Sequence, residues 1–84
     1  MPKSTKKHIF LVDDDPCICE SVSVILEHSG FRCTSFTDSV LCRDALGPGC
    51  CDLLITDVQM PDVDGLAMLK HAQKTVPWMP VLVM

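Results

Sequence analysis

Aspartate residues follow two short apolar segments of this chain. Residues 9–12, Ile-Phe-Leu-Val, run directly into Asp13 and Asp14, and residues 53–56, Leu-Leu-Ile-Thr, run into Asp57. Continuous apolar runs of this length are typical of strands that are buried on both faces, as in a parallel sheet covered by helices. Because ligands of open parallel sheets bind beyond the carboxyl ends of the strands, we expect these acids to lie together there.

Three neighbouring carboxylates favour a bound cation. Two negative charges that lie 4 Å apart repel each other by about 4 kcal/mol in a medium of intermediate dielectric constant. Mg²⁺ is a hard cation that binds through one or two carboxylates and keeps several waters. The sequence therefore predicts that Mg²⁺ binds at Asp13, Asp14 and Asp57, with one carboxylate to spare.

The segment after the first acids predicts a helix that helps to position them. Asp15 is a suitable N-cap, Pro16 a suitable first helical residue, and Gly30 a suitable left-handed residue after the last turn. We predict helix one over residues 16–29. Its apolar face is predicted to contain Ile18, Val22, Ile25 and Leu26.

The rest of the chain continues the alternation of strands and helices. A short second helix is expected between a cap at residues 37–39 and the stop at residues 47–49, Gly-Pro-Gly. The other predicted elements are strands over residues 9–12, 31–36, 51 or 52 to 56 and 81–84, and a third helix over residues 64–74. This order predicts an α/β fold with a doubly wound parallel sheet and right-handed crossovers.

Composition and charge narrow the possible partners. With 84 residues the chain is one small domain, and its net charge of −4 argues against a nucleic-acid surface. Residues 1–7 are interpreted as a solvated, flexible tail. No run approaches the roughly 18 apolar residues of a membrane span, and the apolar run after Lys7 is too short for a signal peptide. We therefore expect a cytoplasmic protein without a membrane partner.

Six cysteines raise the possibility of disulfides or of a zinc site. Cys17 with Cys19 and Cys50 with Cys51 are dithiol pairs, but neither has the gap that is usual between zinc thiolates. The apolar content of 48% falls into clear strand and helix patterns, unlike that of a disulfide-stabilised miniprotein. We expect reduced thiols that mostly serve as small core or boundary residues.

Several of these motifs occur together in a recognisable arrangement. The acids after strand one, Asp57 after strand three, and the Asp-Val-Gln-Met-Pro-Asp-Val-Asp-Gly sequence of residues 57–65 resemble the receiver domain of two-component response regulators. All 84 residues align with the first two-thirds of such a domain. The resemblance implies a flavodoxin-like fold with strand order 2-1-3-4-5, of which this chain would supply 2-1-3-4.

The resemblance also implies a function. Asp57 would accept a phosphoryl group from a phosphohistidine of a sensor histidine kinase, with at most self-catalysed phosphotransfer and dephosphorylation. Mg²⁺ would be bound directly by Asp14, Asp57 and the main-chain carbonyl of Gln59. Its remaining ligands would be waters, which Asp13 would partly hold. This chemistry is physically reasonable, because phosphoryl transfer needs mainly positioning and charge neutralisation.

Other residues of the same segment are interpreted as structural. Asp62 and Asp64 are expected to be turn and cap residues, and Gly65 is expected to permit a tight turn. Met60 and Met68 are expected to be packing residues.

The chain departs from the receiver pattern at its end. It stops at Met84, so helix four, strand five with its lysine, and helix five of the family are expected to be absent. Metal binding is expected to survive, whereas switching is expected to be impaired. Strand four and one sheet face would be left bare. We therefore predict a homodimer through the strand-four edge or the exposed sheet face, with Trp78 near the contact.

Two other classes of function remain as alternatives. The chain could be an oligomeric interaction module without phosphoryl chemistry. It could also be a haloacid-dehalogenase-like phosphatase with Asp13 as nucleophile, although that reading leaves the Asp57 loop unexplained. Phosphoryl labelling of Asp57 distinguishes the receiver from both alternatives.

Overall fold

Four parallel strands form the centre of the protein. The computed structural model describes residues 6–84, so most of the predicted tail lies outside the described residues. The elements in chain order are β1 (His8–Val12), α1 (Pro16–His28), β2 (Arg32–Phe36), α2 (Ser39–Ala45), β3 (Leu53–Thr56), α3 (Gly65–Thr75) and β4 (Val81–Val83). The strand order is β2-β1-β3-β4, with parallel pairing throughout. The predicted fold class and strand order are confirmed.

Each predicted element is present, and its bounds differ from the prediction by no more than two residues. The largest difference is at the start of β3, because Asp52 does not join the strand. Its carboxylate accepts a hydrogen bond of 2.7 Å from the backbone N–H of His8, and its own N–H donates to the His8 carbonyl. Asp52 therefore closes the amino end of the β1–β3 pair.

The core has two layers because side chains alternate between the two faces of each strand. Phe10 and Val12 point to the face covered by α2 and α3, whereas Ile9 and Leu11 point to the face covered by α1. The larger layer is centred on fully buried side chains of β3 and α3, which include Leu54, Met68 and Ala72. Met68 is a packing residue, as predicted.

The predicted apolar face of α1 is partly wrong. Ile25 is 63% exposed and Ile18 is 43% exposed, whereas Cys19 is only 3% exposed. The sheet is contacted by Cys19, Val22 and Leu26, which follow one another at helical spacing along the buried side. The helix carries apolar residues on more than one side, and the sheet contacts only one of them.

The outer edge of the sheet is formed by β4. This strand has three residues, and Leu82 within it and Trp78 before it are exposed. A single chain does not test the predicted homodimer, which stays a prediction.

Two further observations concern the thiols and the helices. All six cysteines are free. Within residues 6–84, no helix has both the length and the apolar character needed to cross a membrane.

Candidate functional site

Parallel pairing of β1 and β3 places the acidic residues side by side. Val12 is in register with Thr56, so Asp13 and Asp57 are the next residues on neighbouring strands. The backbone N–H of Asp57 donates to the Val12 carbonyl at 3.1 Å, and that of Asp13 donates to the Phe36 carbonyl at 3.1 Å. These bonds continue the sheet ladder and fix the backbone of both acids.

The structure brings the three carboxylates predicted from the sequence together. One oxygen from each of Asp13, Asp14 and Asp57 lies within 4.8 Å of the other two. Asp13 is buried, with 5% of its surface exposed, Asp57 is half-buried and Asp14 is exposed. Among the residues that the structure describes, this is the one group of three or more histidine, cysteine or acidic side chains that could hold a metal ion.

Burial and neighbouring charges act on the Asp13 carboxyl. Desolvation is the main cause that raises its pKa above the ordinary value, and the negative charges of Asp57 and Asp14 raise it further. One interaction acts in the opposite direction, since the Asp15 N–H donates to Asp13 Oδ1 at 2.9 Å. The Asp13 anion is therefore held at an energetic disadvantage that a cation would relieve.

Asp15 does not belong to this group. Its side chain is the N-cap of α1 and accepts a hydrogen bond of 2.9 Å from the Cys17 N–H, as predicted. Of the three consecutive aspartates at residues 13–15, only Asp13 and Asp14 therefore group with Asp57.

An open cleft of about 540 Å³ adjoins the acids. It is lined by Asp14, Val58, Gln59, Met60, Pro61, Asp64 and Leu66. Asp14 is the member of the acidic group that lines the cleft, and it is therefore open to solvent and to a small ligand. Gln59 lines the same cleft as Asp14, and the role of its main-chain carbonyl as a metal ligand stays a prediction. The oxygen-only donor set of this region fits Mg²⁺.

The loop between Asp57 and α3 is held by close packing at Gly65. The Gly65 N–H donates to the Val58 carbonyl at 2.9 Å. A Cβ atom at residue 65 would lie 2.8 Å from Val58 Cα and would also clash with the Asp57 carbonyl oxygen. Glycine is therefore needed at residue 65 for this close approach. The prediction that Gly65 permits a tight turn was wrong, because the left-handed residue of the loop is Asp62, with φ of 69°. Asp64 is the N-cap of α3, as predicted.

Ser39 also holds this loop, and the sequence did not indicate that role. Its Oγ donates to the Pro61 carbonyl at 2.8 Å and accepts from the Val63 N–H at 3.1 Å, and the side chain is buried. The cap of α2 is Asp38, whose Oδ1 accepts from the Val40 N–H at 2.9 Å. One sequence signal could have pointed to this role. Ser39 is a second residue of the cap-forming type directly after Asp38, and the helix needs only one cap.

The amino-acid sequence and the fold were compared with known proteins. Residues 9–84 match the family model described as "Response regulator receiver domain". The transcriptional regulatory protein FixJ of Bradyrhizobium diazoefficiens is 35% identical over 81 residues, which cover 96% of this chain and 40% of FixJ. The DNA-binding transcriptional regulator NtrC of Escherichia coli K12 is 36% identical over 76 residues, which cover 90% of this chain and 16% of NtrC.

Solved structures give the same picture for the fold. The CheY-like response regulator receiver domain protein of Methanospirillum hungatei superimposes with a TM-score of 0.88 at 28% identity, over 94% of this chain and 63% of that protein. Full-length FixJ of B. japonicum superimposes with a TM-score of 0.84 at 36% identity, over 96% of this chain and 40% of that protein. The chain spans less than half the length of the curated relatives FixJ and NtrC.

Proposed function

This chain belongs to the response regulator receiver family, as its motifs indicated, and we propose that it accepts a phosphoryl group on Asp57 from a phosphohistidine of a sensor histidine kinase. The observation that carries this proposal is the meeting of Asp57 with Asp13 and Asp14 at the carboxyl edge of the sheet. In this proposal the domain works in the cytoplasm, as one step of a two-component phosphorelay.

The residues present fit a bound Mg²⁺. Asp14 and Asp57 would hold it directly with the main-chain carbonyl of Gln59, and Asp13 would hold its waters. When bound, the ion neutralises the charge of the incoming phosphoryl group and of the acids around it. The donor set supports this assignment, because carboxylate and carbonyl oxygens are the ligands that hard cations prefer.

The chain's own residues provide the positioning that phosphoryl transfer needs. Asp57 presents a half-buried carboxylate oxygen as the nucleophile, and its backbone is fixed by the bond to Val12. The phosphorus–nitrogen bond to the donor histidine breaks as a phosphorus–oxygen bond to Asp57 forms, and the histidine nitrogen keeps the electron pair. In this proposal the donor approaches through the cleft lined by Asp14, Val58 and Gln59, which adjoin Asp57 in space or in sequence.

Phosphoryl labelling tests the proposal. The protein is incubated with Mg²⁺ and acetyl phosphate or beryllofluoride, and the product is examined by intact mass and by ¹⁹F NMR. The wild type is expected to gain one acid-labile phosphoryl group, and Asp57→Asn is expected to gain none. Asp62→Asn is a matched control, because it removes one charge from the same loop and asparagine tolerates the left-handed conformation.

Two outcomes would contradict the proposal. A phosphoryl group on Asp57→Asn would identify another acceptor. A folded wild type without label would favour the alternative function, an interaction module without phosphoryl chemistry.

A further inference from the structure

Three sulfur atoms meet at the edge of the sheet opposite the aspartates. Cys50 Sγ lies 3.5 Å from Cys51 Sγ, and Cys51 Sγ lies 3.3 Å from Met79 Sδ. Cys51 precedes β3 and Met79 precedes β4, so the group lies at the amino ends of these two strands. We refer to Cys50, Cys51 and Met79 as the sulfur cluster.

The sulfur cluster is accessible from one side and supported from the other. Cys50 and Cys51 are half-buried, whereas Met79 is buried, with 7% of its surface exposed. All three pack against the larger core layer between the sheet and the helices α2 and α3. An ion could therefore reach the two thiols from solvent, while the thioether is held in place beneath them.

The types of donor atom select the ion. Thiolate and thioether sulfurs are soft ligands that favour Cu⁺ among the common biological metals. Zinc sites use four ligands drawn from cysteine, histidine and carboxylate. Within residues 6–84, no third ligand of those types lies close enough to form a group with Cys50 and Cys51. The cluster offers three sulfurs, a number and a softness that suit Cu⁺ and not Zn²⁺.

We propose that Cys50, Cys51 and Met79 form a binding site for one Cu⁺ ion. Two sulfur–copper bonds form as the two thiols release their protons to solvent, and the Met79 thioether donates a lone pair without any proton change. One Cu⁺ and two neutral thiols thus give a complex of net charge −1 and two protons. No electron is transferred, so the reaction needs no oxidant or reductant.

Binding at this place would link two segments that are far apart in the chain. Cys51 and Met79 are separated by 28 residues, and they precede the paired strands β3 and β4. The pairing of these strands begins with the Leu54 N–H, which donates to the Pro80 carbonyl at 3.2 Å. The ion would act as a crosslink beside the start of the three-residue edge strand, and we expect it to raise the melting temperature.

Competition for Cu⁺ tests the proposal. The reduced protein is titrated without oxygen into Cu⁺ held by a chromogenic chelator, in saturating Mg²⁺ so that the aspartates are occupied. The wild type is expected to remove one equivalent of Cu⁺. Cys50→Ser and Cys51→Ser are each expected to weaken binding at least a hundredfold, and Met79→Leu, which conserves volume, about tenfold. Cys17→Ser is the matched control, because Cys17 is exposed and lies outside the cluster.

A second measurement requires no variant. Iodoacetamide labelling of the native wild type, followed by peptide mass spectrometry, is expected to show that Cu⁺ protects Cys50 and Cys51 and leaves Cys17 reactive. Unchanged affinity in folded Cys50→Ser and Cys51→Ser, a loss of affinity in Cys17→Ser, or labelling of all three cysteines to the same extent with and without Cu⁺ would overturn the proposal.

Discussion

Replacing Asp13 by asparagine is expected to stabilise the metal-free protein and to remove most of its response to Mg²⁺. The Asp13 carboxylate lies within 4.8 Å of those of Asp14 and Asp57. At that distance each repulsive pair is worth about 1 kcal/mol in water and about 3.5 kcal/mol at an effective dielectric constant of 20. Because Asp14 is exposed and Asp57 is half-buried, we expect a gain near the lower end, about 2 kcal/mol in all.

Asparagine is a suitable replacement because it keeps the local hydrogen bond. Its side-chain oxygen can accept from the Asp15 N–H as Asp13 Oδ1 does, at 2.9 Å. The loss of charge is then the main change. Mg²⁺ at ten times its dissociation constant should stabilise the wild type by about 1.4 kcal/mol, so the difference between the two proteins should shrink when Mg²⁺ is added.

The same substitution should change the dependence of stability on pH. The pKa of Asp13 is raised in the folded protein, so the folded state holds its proton at pH values where the unfolded state has lost it. Metal-free wild type is therefore expected to lose stability relative to Asp13→Asn as pH rises from the unfolded pKa of about 3.9 through the raised folded pKa. Below both pKa values the repulsion is absent.

Urea unfolding followed by circular dichroism, with EDTA or with Mg²⁺, measures these effects. Asp44→Asn is the matched control, because Asp44 is exposed, pairs only with its neighbour Arg43 at 3.2 Å, and carries the same charge. It should change stability by less than about 0.5 kcal/mol and leave the Mg²⁺ response intact. If Asp13→Asn is less stable than the wild type in EDTA, or responds to Mg²⁺ as strongly, the electrostatic reasoning is refuted.

Two further substitutions test how the Asp57 loop is held. Gly65→Ala should lower the free energy of unfolding by about 1–3 kcal/mol and weaken the Mg²⁺ response in the same assay, because its Cβ would lie 2.8 Å from Val58 Cα. Gly47→Ala, whose Cβ would have no atom within 4 Å, should do neither, and an equal effect of the two would contradict the packing argument. Ser39→Ala should lower the free energy of unfolding by about 1–3 kcal/mol, because the Pro61 carbonyl and the Val63 N–H lose their partner. The control Ser29→Ala, at an exposed residue, should change the free energy of unfolding by less than about 1 kcal/mol, and comparable losses would show that the Ser39 hydroxyl does not hold the loop.

The order of elements could be predicted from the sequence because the signals that set it are local. The apolar strands β1 and β3 are each followed by an aspartate, and each helix begins at an aspartate that caps it, namely Asp15, Asp38 and Asp64. The face of α1 that packs on the sheet could not be predicted in the same way. Val22 and Leu26 are half-buried against the sheet while Ile18 and Ile25 are exposed, and this difference depends on where the sheet lies and not on the helix itself.

The two ends of the sheet differ in how far their chemistry could be predicted. At the carboxyl end, Asp13 and Asp57 directly follow paired strands, so the β1–β3 register alone brings them together. At the amino end, Met79 reaches Cys51 only because α3 and the turn after it return the chain to the start of β4. Ser39 depends in the same way on a distant loop. Residues joined to strand ends are therefore predictable from sequence, whereas groups that helices and turns bring together require the structure.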